Sequence, residues 1–141
     1  MSSVDAVPLS VQRRRWFPRA IGVVGGIAFL AFGVWAMVGP ESFFAAVAAF
    51  DPYNQHFLQD IGAFQIGLGA VLLLAAIPAQ ADALAVGLLG VGTGSAAHGI
   101  SHVIGRDLGG TPEVDIPMFV GLAGLLLVAG LMRWREWRAG Q

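Results

Sequence analysis

The chain alternates long apolar runs with short polar breaks, and this pattern predicts helices that cross a membrane. A bilayer core of about 30 Å needs roughly 20 apolar residues per helix. Four runs of suitable length and composition lie at 20–38, 58–78, 82–104 and 115–132. We therefore expect an all-α, polytopic membrane protein whose four transmembrane helices form a bundle.

Turn and cap residues bound these runs. Gly39-Pro40 ends the first run and Pro78 ends the second, while Asp82 has a side chain suited to an N-cap of the third helix. The polar, glycine-containing stretch 105–115 predicts an irregular turn before the fourth helix.

A short amphipathic segment follows the first run. Within 41–50, Phe43, Val47 and Phe50 recur at helical spacing, but the segment is too short to cross a bilayer. It predicts an interfacial helix after the first span. Such a helix either packs over the mouth of the bundle or forms a lid over a site.

The arginines predict the orientation. They cluster before the first run and after the fourth, with one exception between them: Arg13, Arg14, Arg15, Arg19; Arg133, Arg135, Arg138; and Arg106 alone. By the positive-inside rule, 1–19 and 133–141 are cytoplasmic basic segments flanking a transmembrane domain over 20–132. We expect a protein of the bacterial cytoplasmic membrane. A cleaved signal peptide is an alternative for the first run, which is longer than the h-region of about 7–15 residues that such signals contain.

Composition supports the membrane class and excludes some functions. The chain is 56% hydrophobic and 12% charged, with a net charge of −1. No basic stripe is present, so nucleic acid is not an expected partner. Because the chain has no cysteine, disulfides, thiolate catalysis and cysteine-ligated zinc are excluded.

The histidines mark the candidate site. His56 and Asp60 lie at i and i+4 at the start of the second run, and His98 and His102 have the same spacing at the end of the third. Because these spans run in opposite directions, both pairs fall in the outer leaflet. Ionisable groups at membrane depth are costly and usually face a partner, a cavity or a ligand. We expect the two pairs to converge into one polar His/Asp site.

Several chemistries fit such a site. Two histidines plus a histidine and a carboxylate from a neighbouring helix suit zinc, copper, nickel or non-haem iron. Facing histidines also ligate haem, although nothing in the sequence defines a haem pocket. Proton transfer is a third option, and hydrogen bonding to headgroups and loops is the simplest. Arg106 and Asp107 form a secondary polar pair that could clamp an anionic headgroup.

Small residues predict helix packing. Gly90 and Gly94 precede His98 and His102 at intervals of four, and Gly67 belongs to a similar pattern in the second span. Such patterns let helix backbones approach closely. Packing of the second span on the third would bring Asp60 within reach of His98. A groove for the tail of a ligand is the alternative.

Some of these motifs carry a resemblance. The stretch from His56 to Phe64, then Gly67-Leu68-Gly69, and the stretch from His98 to His102 resemble small four-helix membrane proteins of actinobacteria and the wider DoxX and DUF4345-like group. The resemblance covers most of 20–132, but Gln59 stands where an arginine is expected before the aspartate. It implies the fold and the candidate residues and no activity.

These observations favour a non-enzymatic function. We expect an accessory or ligand-binding component of the cell envelope that handles a lipid or a solute. The expected partners are the lipid bilayer, a lipid or small apolar ligand, and other membrane subunits or a second copy of the chain. A metal-dependent or redox membrane enzyme that uses the His/Asp cluster is the alternative.

Overall fold

A computed structural model describes residues 9–77 and 81–139, and these residues form helices and no strands. The helices are α1 (Leu9–Val38), α2 (Pro40–Ala46), α3 (Gln55–Ala75), α4 (Ala81–Ile104) and α5 (Pro112–Ala139). All except α2 are long and apolar enough to cross a membrane. The predicted all-α bundle of four spans, with a short helix after the first, is confirmed.

The long helices extend beyond some predicted spans. Helix α1 begins at Leu9 rather than at 20, and α5 continues to Ala139 rather than ending at 132. Arginine is a good helix former, so a helix does not end where its apolar run ends. Helix α3 ends at Ala75; the predicted stop at Pro78 lies outside the described residues, as do 1–8 and 140–141 of the predicted basic segments.

The direction of the chain alternates from one long helix to the next. Consequently α2 and the connections 47–54 and 105–111 lie at one end of the bundle, which we call the loop end. There the amide of Gly110 donates a hydrogen bond of 3.1 Å to the carbonyl oxygen of Ala49 and joins the two connections. The start of α1 and the end of α5 lie at the opposite, terminal end.

Glycines bring α1 and α3 into backbone contact. A Cβ atom on Gly33 would lie 2.7 Å from the carbonyl oxygen of Gly62, and one on Gly69 would lie 2.8 Å from that of Gly26. No side chain larger than hydrogen fits there without a shift. The glycines of each helix are seven residues apart, a spacing that returns to the same face of two helices that cross at a small angle.

Glycines also bring α4 and α5 into close contact. A Cβ atom on Gly92 would lie 3.0 Å from Leu127, and one on Gly99 would lie 3.2 Å from Phe119. On α5, Gly130 faces the side chain and backbone of Leu89. Helices α1 and α3 therefore form one closely packed pair, and α4 and α5 form another.

The two pairs meet around a leucine core. Leu72, Leu88 and Leu126 are fully buried in one cluster. Contact between α3 and α4 includes the terminal end, where a Cβ atom on Gly87 would lie 3.0 Å from that of Ala75. Towards the loop end, residues of both pairs line a common cavity.

The predicted packing through Gly67, Gly90 and Gly94 is wrong. A Cβ atom at any of these positions would have no neighbour within 4 Å. A membrane helix is apolar on every side, so a row of glycines does not reveal which side meets another helix. Gly90 instead lines a shallow groove between α3 and α4. This position is compatible with the alternative prediction, a groove for the tail of a ligand.

Helix α2 is fixed to the end of α1. The indole Nε1 of Trp35 donates a hydrogen bond of 2.8 Å to Ser42 Oγ, which donates one of 2.9 Å to the carbonyl oxygen of Gly39. The Trp35 ring also packs edge-on against Phe43, with centroids 5.5 Å apart. These contacts hold Phe43 in place at the loop end, where it is buried.

Candidate functional site

A cavity of about 670 Å³ lies between the two helix pairs at the loop end. This volume is in the range of small-molecule sites, about 300–1,000 Å³. Every long helix contributes to its wall. Eight of the nine phenylalanines of the chain line it: Phe29, Phe32, Phe43, Phe44, Phe50, Phe57, Phe64 and Phe119.

The segment predicted as an interfacial helix forms part of this wall. Phe43, Val47 and Phe50 all line the cavity. Helix α2 ends at Ala46, so Val47 and Phe50 belong to the connection that follows it. The short helix thus packs over the mouth of the bundle and contributes Phe43 and Phe44 to the cavity wall.

The wall is incomplete along α3 and α4. Phe64 lines the cavity yet is 76% exposed, and Phe57 and His98 are exposed as well. The shallow groove between α3 and α4 continues from this opening, because Leu68 lines both the groove and the cavity. In a membrane, an opening at this place faces the lipid.

One cavity wall carries a chain of three ionisable side chains. Nε2 of His98 lies 3.1 Å from Nε2 of His102, within hydrogen-bonding distance. Nδ1 of His102 lies 3.8 Å from Oδ2 of Asp115, which is an ion-pair distance. Asp115 is only 7% exposed, and we call His98, His102 and Asp115 the polar chain.

The neighbours of the polar chain hold it in place. Asp115 accepts hydrogen bonds from the backbone amide of Thr111 at 2.9 Å and from Thr111 Oγ1 at 3.1 Å, at the start of α5. Phe119 lies against both imidazoles, with ring centroids 4.2 Å from His98 and 4.7 Å from His102. The edge-on ring of Phe50 is 5.7 Å from His102.

The other predicted pair lies elsewhere. Nε2 of His56 is 3.6 Å from Oδ2 of Asp60, and these side chains are 87% and 55% exposed. Neither residue lines the cavity. The structure does not bring Asp60 to His98, because the glycine contacts fix α3 against α1 rather than against α4. The expected convergence of all four residues is therefore corrected to two separate pairs.

This separation bears on the predicted metal site. Within 9–77 and 81–139, no group of three or more His, Cys, Asp or Glu side chains is arranged to hold a metal ion. The ligand set expected from His56, Asp60, His98 and His102 is not assembled. Arg106 and Asp107 form an exposed pair with each other, Nε to Oδ1 at 3.8 Å.

Sequence reasoning missed Asp115, which it placed in the turn before the fourth span. Its signal was local: Asp115 follows Thr111 and Pro112 at the start of α5 and precedes Phe119 by one helical turn. A threonine directly before a proline suits a helix start, because threonine is a favoured N-cap and proline a favoured first helical residue. The position of His102 beside Asp115 depends on how α4 packs on α5, which the sequence did not reveal.

Comparisons of the chain with protein-family models, with curated proteins and with solved structures found no match. The resemblance to the DoxX and DUF4345-like group therefore stays a prediction.

Proposed function

We propose that this protein binds a lipid-soluble small molecule in the cavity at the loop end, as a ligand-binding component of the cell envelope. One observation carries the proposal: a cavity of about 670 Å³ that is lined by phenylalanines has the polar chain on its wall. Ligand sites typically combine such an apolar lining with a few polar groups that orient the ligand.

The incomplete wall supports entry from the bilayer. An apolar molecule concentrates in the membrane and reaches an opening beside Phe64 without passing through the connections of the loop end. The groove between α3 and α4 gives an extended apolar tail a place to lie, since Gly87 and Gly90 on the α4 side have no side chain to fill it.

The arginine distribution supports an orientation with both termini in the cytoplasm and the loop end outside. Single cysteines at Gln55 and Thr111 should then react with an impermeant thiol reagent in intact cells, and a cysteine at Arg135 should not. The chain has no cysteine of its own, so each variant carries one reactive thiol. The opposite labelling pattern would reverse the orientation.

A photoreactive alkane tests binding in the cavity. Purified protein in lipid nanodiscs should be labelled by an alkyl diazirine on cavity-lining residues of α3 and α5. Ile61→Trp fills the cavity, which Ile61 lines, and should reduce this labelling about tenfold. Ile27→Trp is the matched control, because Ile27 is exposed on α1 and outside the cavity.

Uniform labelling of every lipid-facing residue would contradict the proposal, as would equal labelling of the wild type and Ile61→Trp. A thermal unfolding midpoint within a few degrees of the wild type would establish that the Ile61 variant is folded.

A further inference from the structure

We propose that the ligand of this cavity is a lipid alcohol, whose hydroxyl group hydrogen-bonds to Nδ1 of His98. The inference rests on the proposed binding function and specifies the head group. Nδ1 of His98 has no hydrogen-bond partner within the described part of the chain, while Nε2 of the same ring faces His102. The ring lines the cavity, as do Asn54 and Gln65, and Nδ1 of His98 is the imidazole nitrogen of the polar chain that is left for a ligand.

The cavity lacks a permanent positive charge. The chain contains no lysine, and among the side chains that the structure describes no arginine lines the cavity. The ionisable groups on its wall are those of the polar chain. Only an imidazolium of His98 or His102 could therefore attract an anionic head group.

The hydrogen bond between the imidazoles limits that charge. At 3.1 Å between the two Nε2 atoms, one nitrogen carries the proton and the other offers its lone pair. Both rings cannot be protonated at once while this contact persists. With the carboxylate of Asp115 counted, the polar chain then has a net charge of zero or −1, and a carboxylate or phosphate head group is disfavoured.

A cationic head group is disfavoured for a different reason. The oxygens of Asp115 already accept two hydrogen bonds from Thr111 and face His102. An ammonium group in the cavity would lose its water shell among phenylalanine side chains without gaining a free carboxylate. Burying a charge without a matching partner is costly.

A hydroxyl group suits either protonation state of the polar chain. The charge of Asp115, 3.8 Å from Nδ1 of His102, favours a proton on that nitrogen. Nε2 of His102 then accepts from Nε2–H of His98, and Nδ1 of His98 keeps a lone pair to which a hydroxyl donates. When Nδ1 of His98 is protonated instead, the same hydroxyl accepts.

Four photoreactive probes with the same alkyl chain test this assignment. They end in a hydroxyl, a carboxylate, an ammonium or a methyl group, and each is titrated into full-length protein in nanodiscs of zwitterionic lipid at neutral pH. The apparent Kd comes from the cross-linked fraction by intact mass. The hydroxyl probe should bind about three- to tenfold more tightly than the methyl probe, as one neutral hydrogen bond provides. The charged probes should bind more weakly than the hydroxyl probe.

His98→Phe should remove the preference for hydroxyl over methyl and leave the methyl probe bound, because a ring still lies on Phe119. His56→Phe is the control, since His56 is exposed outside the cavity, and it should retain the preference. His98→Leu serves if the phenylalanine variant does not fold, and a preference for hydroxyl over methyl that persists in the folded variant would overturn the assignment to His98.

The outcomes separate the two proposals. Absence of cavity labelling by all four probes would overturn the binding function itself. Two other results would leave the binding function standing and overturn the lipid alcohol. One is an equal Kd for the methyl and hydroxyl probes, and the other is a lower Kd for the carboxylate or ammonium probe than for the hydroxyl probe.

Discussion

Helix α3 packs against two of the other long helices, α1 and α4, and these two interfaces, which we call its seams, are packed differently. Along α1, Gly62 and Gly69 meet the opposite backbone and close the seam. Along α4, the chain leaves a groove and a cavity with exposed aromatic side chains such as Phe64. Both seams are apolar, so hydropathy does not distinguish them.

If the proposed binding function holds, stability and binding depend on different faces of one helix. The closed seam holds the backbones together by van der Waals contact, which is a main source of helix association in lipid. The open seam provides space for a ligand and a polar chain beside it. Substitutions on the closed seam should therefore change stability, and those on the open seam should change binding.

The largest expected effect contrasts two leucines of α3. Leu72 is fully buried beside Gly22 and Gly25 of α1, whereas Leu74 is 68% exposed and lines the groove. Leu72→Ala should lower the free energy of unfolding by about 2–5 kcal/mol, because it leaves a cavity in the core. Leu74→Ala should change it little. Unfolding in mixed detergent micelles measures both, and similar losses would show that the groove is a packed interface.

The next effect contrasts two glycines. A Cβ atom on Gly33 would meet the carbonyl oxygen of Gly62 at 2.7 Å, whereas one on Gly67 would meet nothing within 4 Å. Gly33→Ala should destabilise the protein by about 1–3 kcal/mol through overpacking. Gly67→Ala should leave the thermal midpoint unchanged or slightly raised, because alanine favours helix. Destabilisation by the Gly67 variant would place a partner against that face.

The smallest effect contrasts two carboxylates near helix starts at the loop end. Asp115 accepts two hydrogen bonds from Thr111 at the cavity wall, whereas Asp60 pairs with His56 in an exposed position. Asp115→Ala should cost about 1–2 kcal/mol, because it removes the acceptor of both hydrogen bonds from Thr111. Asp60→Ala should have no measurable effect on stability, since exposed pairs contribute little. An equal loss in both variants would contradict the assignment of Asp60 to an exposed pair.

The sequence predicts the four spans and the short helix well, because these depend on the length of apolar runs and on turn residues. It does not predict which faces of the helices pack against each other. Gly92 and Gly99 contact α5, while a Cβ atom on Gly90 or Gly94 would have no neighbour within 4 Å, although all four lie in one apolar helix. Sides that face lipid and sides that face protein are equally apolar, so periodicity does not tell them apart.

In the candidate site as well, the local spacing of residues could be predicted and the packing of helices could not. The i, i+4 spacing of His98 and His102 predicts their contact, and the structure has it. The rotation of α3 against α1 decides that Asp60 is not part of that site, and the packing of α4 on α5 decides that Asp115 is. Both outcomes depend on how two helices pack against each other, and the sequence alone does not specify this packing.

The two closed seams also bear on how the bundle assembles. Each half of the chain, α1 to α3 and α4 to α5, carries a complete glycine-packed interface, so each can form a helical hairpin as it enters the bilayer. The two hairpins meet around Leu72, Leu88 and Leu126. Because Phe64 and His98 lie on opposite hairpins, a larger distance between the hairpins would widen the cavity without breaking either glycine interface.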